Sequence, residues 1–160
     1  MATIIRQIAK DDNIALAKII RDVFDEYRLD KIGTVYSDPS TDNLYELFRL
    51  EKSTYWVVEK DGELIGGCGT YPTDGLPGSC AELVKFYLKA EYRGEGIGKL
   101  LLQININTAK SNGFKALYLE TFPELTSSLG LYKSLGFTFL NERLGNSGHH
   151  TCSIWMLKNL

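Results

Sequence analysis

A β-rich run, AELVKFYL at residues 81–88, leads into KAEYRGEGIGKLL, where three glycines and an arginine stand directly before an apolar stretch of helical spacing. A strand that turns through glycines straight into a helix constrains the fold more than any other feature of the chain. It fixes a strand end, a helix start and their connection in one local unit. Glycine lets backbone approach a neighbour or a ligand closely, because no Cβ intervenes. A helix start adds unpaired N–H groups that attract an anion. Arg93, Gly94, Glu95, Gly96, Ile97, Gly98 and Lys99 therefore form a candidate anion-binding corner. On the glycines alone, a tight turn that holds no ligand is an equal reading.

Two common phosphate loops do not fit. A dinucleotide fingerprint needs a third glycine three places after Gly96, where this chain has Lys99. The unit also comes late, after an antiparallel hairpin rather than inside a first βαβ unit. A P-loop needs Ser or Thr after its lysine, and here Leu100 follows Lys99.

Around this corner the chain alternates clearly between strand and helix patterns. TIIRQI at residues 3–8 reads as a first strand. Asp11 or Asp12 caps a helix with Ile14, Ala17, Ile20 (or Ile19), Val23, Phe24 and Tyr27 at helical spacing. The long polar loop RLDKIGTVYSDPSTD comes next, then a second helix, NLYELFRL, capped by Thr41 or Asp42. Loops of this length often carry function, which makes Arg28, Asp30, Lys31 and Tyr36 candidates for recognising a substrate; a solvated loop is the alternative.

Asp61-Gly62, between STYWVVEK and ELIGGCGTYP, is a hairpin signal. After the glycine corner, Ile97, Leu100, Leu101, Ile104 and Thr108 mark one helix face, which Asn112-Gly113 ends. KALYLET reads as a strand and PELTSSLGLYKSLG as a helix stopped at Gly136. FTFLNERL and TCSIWMLKNL read as two antiparallel strands. The order is β-α-α-β-β-β-α-β-α-β-β, without repeats or a linker. That predicts one α/β domain over residues 1–160, a mixed sheet with helices on its faces.

A formal charge of −2 gives no basic footprint, so no nucleic-acid partner is expected. Cys68, Cys80 and Cys152 are widely spaced and form no CxxC pair, which predicts reduced, mostly buried thiols. The start MATIIRQIAKDD turns charged too early for a signal peptide, and no apolar run approaches membrane-spanning length. The expected location is cytoplasmic, with no membrane partner.

The corner, with Arg93, Gly96 and Gly98 in the defining places, resembles the (Q/R)-x-x-G-x-(G/A) signature of the GCN5-related N-acetyltransferases (GNAT). AELVKFYL before it, KALYLET after the helix, and LYKSLGF, similar to the family's LYxxxGF ending, stand in the same order. The ending of the chain, with YWVVE and LYLET, also looks like an uncharacterised bacterial subfamily of acetyltransferases. The resemblance implies the GNAT fold. Its central sheet is mostly antiparallel, with a splayed parallel pair made by AELVKFYL and KALYLET and helices on both faces.

It also implies a chemistry. The corner would hold the pyrophosphate of acetyl-CoA, and Phe86, Tyr87 and Leu88 would line the pantetheine arm, with backbone near Phe86 and Leu88 bonding it like an added strand. Tyr132 lies on the stripe Leu125, Ser128, Leu129, Tyr132, Leu135, which by periodicity alone is a core tyrosine. The resemblance makes it the general acid for the departing thiolate. Glu82 resembles the base of some relatives; a solvated strand-end carboxylate, Glu120 as base, or a water chain are the alternatives. Many relatives carry an asparagine seven residues before the tyrosine that contacts the arm; here Leu125 stands there, so that contact should be absent.

His149, His150 and Cys152 do not secure three ligands, so no metal is expected. A hairpin tip or a wall of the substrate pocket is the better reading of that stretch. The implied function is N-acetylation of a small-molecule amine, such as an amino acid or its derivative. Acetylation of a protein amine and a noncatalytic acyl-CoA sensor are the alternatives, and a homodimer is left open.

Overall fold

The computed structural model of the chain describes residues 2–29, 31–148 and 152–160. Its strands are β1 (Thr3–Gln7), β2 (Thr54–Lys60), β3 (Glu63–Tyr71), β4 (Cys80–Leu88), β5 (Ala116–Thr121), β6 (Thr138–Phe139) and β7 (Ile154–Asn159). The helices are α1 (Asn13–Tyr27), α2 (Leu44–Leu47), α3 (Ile97–Ser111) and α4 (Thr126–Ser134). All seven strands form one sheet in the order β1-β2-β3-β4-β5-β7-β6. Every pairing is antiparallel except that of β4 with β5. The predicted element order and the mixed sheet are both present.

Helices cover both faces, and each face has its own core. Leu101, Leu102, Ile106 and Ala109 of α3 join Tyr132 of α4 and Met156 on one side. Leu16, Ile20 and Phe24 of α1 meet Leu44 and Tyr55 on the other. Burying such side chains contributes about 1.5–3 kcal/mol each, which is what holds the helices to the sheet. Asp61 (φ 53°) and Gly62 (φ 82°) make the two-residue β2–β3 turn in the left-handed region that such a turn requires. Gly113 (φ 87°) and Gly136 (φ 95°) follow the last turns of α3 and α4 at the predicted stops.

Three expectations need correction. Ile14 is 86% exposed and Leu100 is 51% exposed, so the buried stripes of α1 and α3 are shifted from those predicted. Each helix has more apolar residues than one face can bury, and packing chooses Leu16 and Leu102 instead. The second helix keeps one α-helical turn, entered from a 3-10 segment at Pro39–Asn43. FTFLNERL forms only a two-residue strand at the edge of the sheet. All three cysteines are free and buried, as expected. Among the described residues, no helix is long and apolar enough to cross a membrane.

Candidate active site

Two irregularities in β4 shape the site. Its parallel pairing with β5 spans only Cys80↔Ala116, Ala81↔Leu117 and Glu82↔Tyr118; beyond Glu82 the two strands part. On its other side the register with β3 runs from Gly69↔Val84 to Gly67↔Tyr87, so β4 carries one extra residue. That residue is Lys85, at φ 53°, and its carbonyl accepts a 2.7 Å hydrogen bond from the Tyr55 hydroxyl. Such a bulge bends the strand and re-aims the side chains beyond it. Here it lets Phe86 and Leu88 return to the α3 side and Tyr87 to the α1 side.

The parted edge of β4 has hydrogen-bonding capacity to spare. Lys89 N–H donates to the Ile65 carbonyl at 2.9 Å. By the alternation of an antiparallel ladder, Tyr87 also bonds towards β3, while the backbone groups of Phe86 and Leu88 face the gap. The Leu88 carbonyl is taken by Arg93, whose Nη2 donates to it at 2.9 Å.

Arg93 itself is already engaged by protein groups. Its guanidinium donates to both oxygens of Glu26 (2.7 and 3.0 Å) and lies over the Tyr27 ring. The corner therefore presents mainly backbone. Gly94 (φ 82°) and Gly96 (φ 85°) both need the left-handed region, and Gly96 precedes the free N–H groups of α3. Glu95 pairs with Lys60 at 2.7 Å and Ile97 is in the core, so their side chains do not line the groove and only their backbone is available to a ligand. Gly98, which lines the groove, also meets a packing constraint. A Cβ there would lie 3.2 Å from Phe86 and 3.3 Å from Leu131, so its absence lets α3 settle on β4.

Replacing Gly98 with valine should therefore cost stability, by about 1–3 kcal/mol as overpacking. Gly96→Val has open space around it but a strained φ, and should cost about 1–3 kcal/mol through the backbone. Urea unfolding of both variants checks these values; an unchanged midpoint for Gly98→Val would remove the packing explanation.

Tyr132 is buried, with Phe86 and Phe137 at ring-centroid distances of 6.2 and 5.9 Å. Its hydroxyl makes no hydrogen bond to any described residue. Burial pushes its pKa well above the usual tyrosine value, so it is a neutral proton donor.

Glu82 is not solvated: it is 5% exposed, and burial pushes its pKa up to about 7 against the pull of a 2.6 Å hydrogen bond from the Thr73 hydroxyl. Glu120 is more fully engaged. It accepts from Tyr118 (2.6 Å) and Ser147 (2.7 Å) and lies 3.5 Å from Arg143. Cys152, beside both carboxylates, is a thiol with its pKa pushed up to about 12 by burial.

These groups line adjoining spaces. A groove of about 270 Å³ runs along the corner and the outer part of β4, past Arg93, Gly96 and Lys99. It shares Phe86, Tyr87, Leu125 and Ser128 with a slot of about 60 Å³ between the parted strands, where Glu82 and Tyr132 lie. The slot in turn shares Glu82, Val84 and Lys85 with a third cavity of about 210 Å³ on the far side of β4. These adjoining spaces thus extend from the glycine corner, past the parted strands, to an open-sided third pocket.

Residues 18–137 match the model of the acetyltransferase (GNAT) family. The chain belongs to the GNAT family. It is 39% identical over 159 residues to an uncharacterised N-acetyltransferase, YjgM, of Escherichia coli (strain K12), covering 98% of this chain and 95% of that one. A GNAT-family acetyltransferase from Staphylococcus aureus has the same fold at a TM-score of 0.86 and 22% identity, each chain 99% covered. The PaiA N-acetyltransferase of Thermoplasma acidophilum, solved with coenzyme A, matches at a TM-score of 0.76 and 21% identity over 100% of both chains.

Within this GNAT domain, Glu82, Tyr132, Phe86, Tyr87 and Leu88 from the sequence reading come together around the slot and groove. The proposed substrate-loop residues do not. Lys31 pairs with Asp25 and stacks on Tyr36, Arg28 caps α1, and none of the three lines any of these three spaces; Val35 and Asp38 of the same loop do. Asp30, His149 and His150 lie outside the described residues. Among the described residues, no three His, Cys, Asp or Glu side chains are grouped to hold a metal. Leu125 lines both groove and slot with an apolar side chain. Sequence reasoning missed Thr73 and Lys85, since neither falls in a motif.

Proposed function

We propose that this GNAT domain transfers the acetyl group of acetyl-CoA to the primary amine of a small molecule, by direct attack of the amine on the thioester. The observation that carries the reading is this run of adjoining spaces. It leads from free N–H groups at a helix start to a slot holding a near-neutral carboxyl and an unbonded tyrosine hydroxyl. The α3 N-terminus would bind the pyrophosphate through backbone N–H groups of Gly96, Ile97 and Gly98, with Gly94, Glu95 and Lys99 flanking it. Phe86, Tyr87 and Leu88 would line the arm, whose amides match the open edge of β4.

Acetyl transfer needs the acceptor as free amine. Glu82, titrating at about 7, is ionised and basic enough near neutrality to take that proton. Tyr132 remains protonated and can deliver a proton to the departing thiolate. Glu82 is preferred to Glu120 because Glu120 already accepts two hydroxyl hydrogen bonds and faces Arg143. The small third cavity, about 210 Å³, fits a small amine better than a protein chain.

Thermal shift tests the coenzyme. At a concentration of 100 Kd, a ligand that binds only the folded state stabilises it by about 2.7 kcal/mol. For a domain of this size that is a rise of about 5–10 °C. Coenzyme A and acetyl-CoA are expected to give it, and NAD and ATP are not. Thiol release across a panel of amines then tests transfer. A shift with NAD and none with coenzyme A would overturn the reading; tight acetyl-CoA binding without release from any amine would make the domain a sensor.

A further inference from the structure

Lys85 has an environment unusual for a lysine. It is 9% exposed, it is the extra residue of the β4 bulge, and it lines both the slot and the third cavity. Its ammonium makes no hydrogen bond and no ion pair with any described residue of the chain. Lysine is almost never buried unless paired, because an unpartnered charge pays its desolvation without return. The nearest acidic groups acting on it are Asp38 and Glu82, both too far for an ion pair, so neither supplies the missing partner.

We propose that Lys85 is an anion subsite that selects an acceptor amine bearing a carboxylate close to the amine. This rests on the acetyl-transfer reading, since it identifies the acceptor of that reaction. The bulge is what makes the arrangement possible. By strand alternation alone, the position after Val84 would point to the α3 side; the inserted residue instead puts Lys85 in the same spaces as Glu82 and Val84. The two chemical needs of an amino acid then sit side by side: a carboxylate base for the ammonium and a cation for the carboxylate.

The other charges of the third cavity refine the selection. Asp38 and Asp74 join Glu82 there, so among the described residues this lining has three carboxyl groups to one lysine. An anion with no amine would leave Glu82 without a cationic partner, and an amine with no carboxylate would leave Lys85 unpaired. A zwitterion satisfies both. Burial also pulls the Lys85 pKa down, and a bound carboxylate favours the ammonium again.

The test pairs each of several L-amino acids with its carboxamide, which keeps the amine and side chain and removes the negative charge. Binding to the coenzyme A-loaded protein is followed by calorimetry, and turnover with acetyl-CoA by thiol release. Wild type should prefer the acid by about 10–100-fold in binding and in kcat/KM, as expected for a charge-assisted contact in a buried site. Lys85→Met keeps the unbranched length without the charge and should erase most of that ratio, with folding checked by thermal melt. Lys85→Gln is a second variant in case the first does not fold.

Carboxamides bound and acetylated as well as the acids would overturn the proposal, as would a preference that survives both substitutions or no binding by either series. Acid-selective, Lys85-dependent binding without thiol release would uphold the anion subsite and overturn the transferase reading. The two failures are thereby distinguishable.

Discussion

Replacing Glu82 with glutamine is expected to lower kcat by about 10²–10⁴-fold at pH 8 and, at the same pH, to raise the stability of the fold. The first effect comes from losing the base. In wild type, kcat/KM should rise with pH through about 7, the pKa of the buried carboxyl in the free protein, and then level; the variant should lack that limb. The second effect has the opposite sign because the carboxyl is strained when ionised. Its pKa is 4.5 in the unfolded chain and about 7 when folded. Between those values the folded state holds a proton that the unfolded state has released, so stability falls as pH rises from 4.5 to 7 and stays low above. The full difference is about 3 kcal/mol at one pKa unit per 1.36 kcal/mol. Glutamine can still accept from the Thr73 hydroxyl and has no charge to bury. Rate–pH profiles and urea unfolding at pH 5 and pH 8 measure both arms. A variant as active as wild type sinks the base assignment, and an inactive variant less stable at pH 8 attributes the loss to folding.

Tyr132→Phe should lower turnover by about 10²-fold, the smaller end of the range for acid catalysis, since a thiolate is a tolerable leaving group. The ring and its contacts with Phe86 and Phe137 are kept, and the lost hydroxyl has no partner among the described residues. Stability and acetyl-CoA affinity should therefore change little. Slowed thiol release with unaltered binding is the expected pattern. Wild-type turnover would leave Tyr132 a core residue only.

Much of this was legible in the residues because it is local. Asp61-Gly62 sets its own turn, Gly113 and Gly136 end their helices, and the glycine corner announces itself between a strand and a helix. The rest depends on distant chain. Nothing near Glu82 says that β3, β5 and Thr73 will enclose it, so a solvated carboxylate read as well as a base until the sheet was formed. The ion pair of Arg93 is equally invisible locally, because its partner, Glu26, lies far back in α1. Lys85 left no mark at all: an inserted residue in a strand looks like any other until the pairing on both sides is known. Ile14 and Leu100 failed for a different reason, since an apolar helix has more than one stripe that satisfies a helical period.

The short seam between β4 and β5 has a mechanical consequence. Three paired residues join a four-stranded leaf, β1 to β4, to a three-stranded one, β5 to β7, and beyond Glu82 the two leaves hang apart. A pantetheine arm in the gap would act as a spline, its amides joining edges that the polypeptide leaves unjoined. The resting protein would then be a sheet built one strand short, with the reaction under way only while a borrowed strand completes it. Release of the product coenzyme would reopen the joint. The same opening that admits the reactant would thus also be the way out for the product coenzyme.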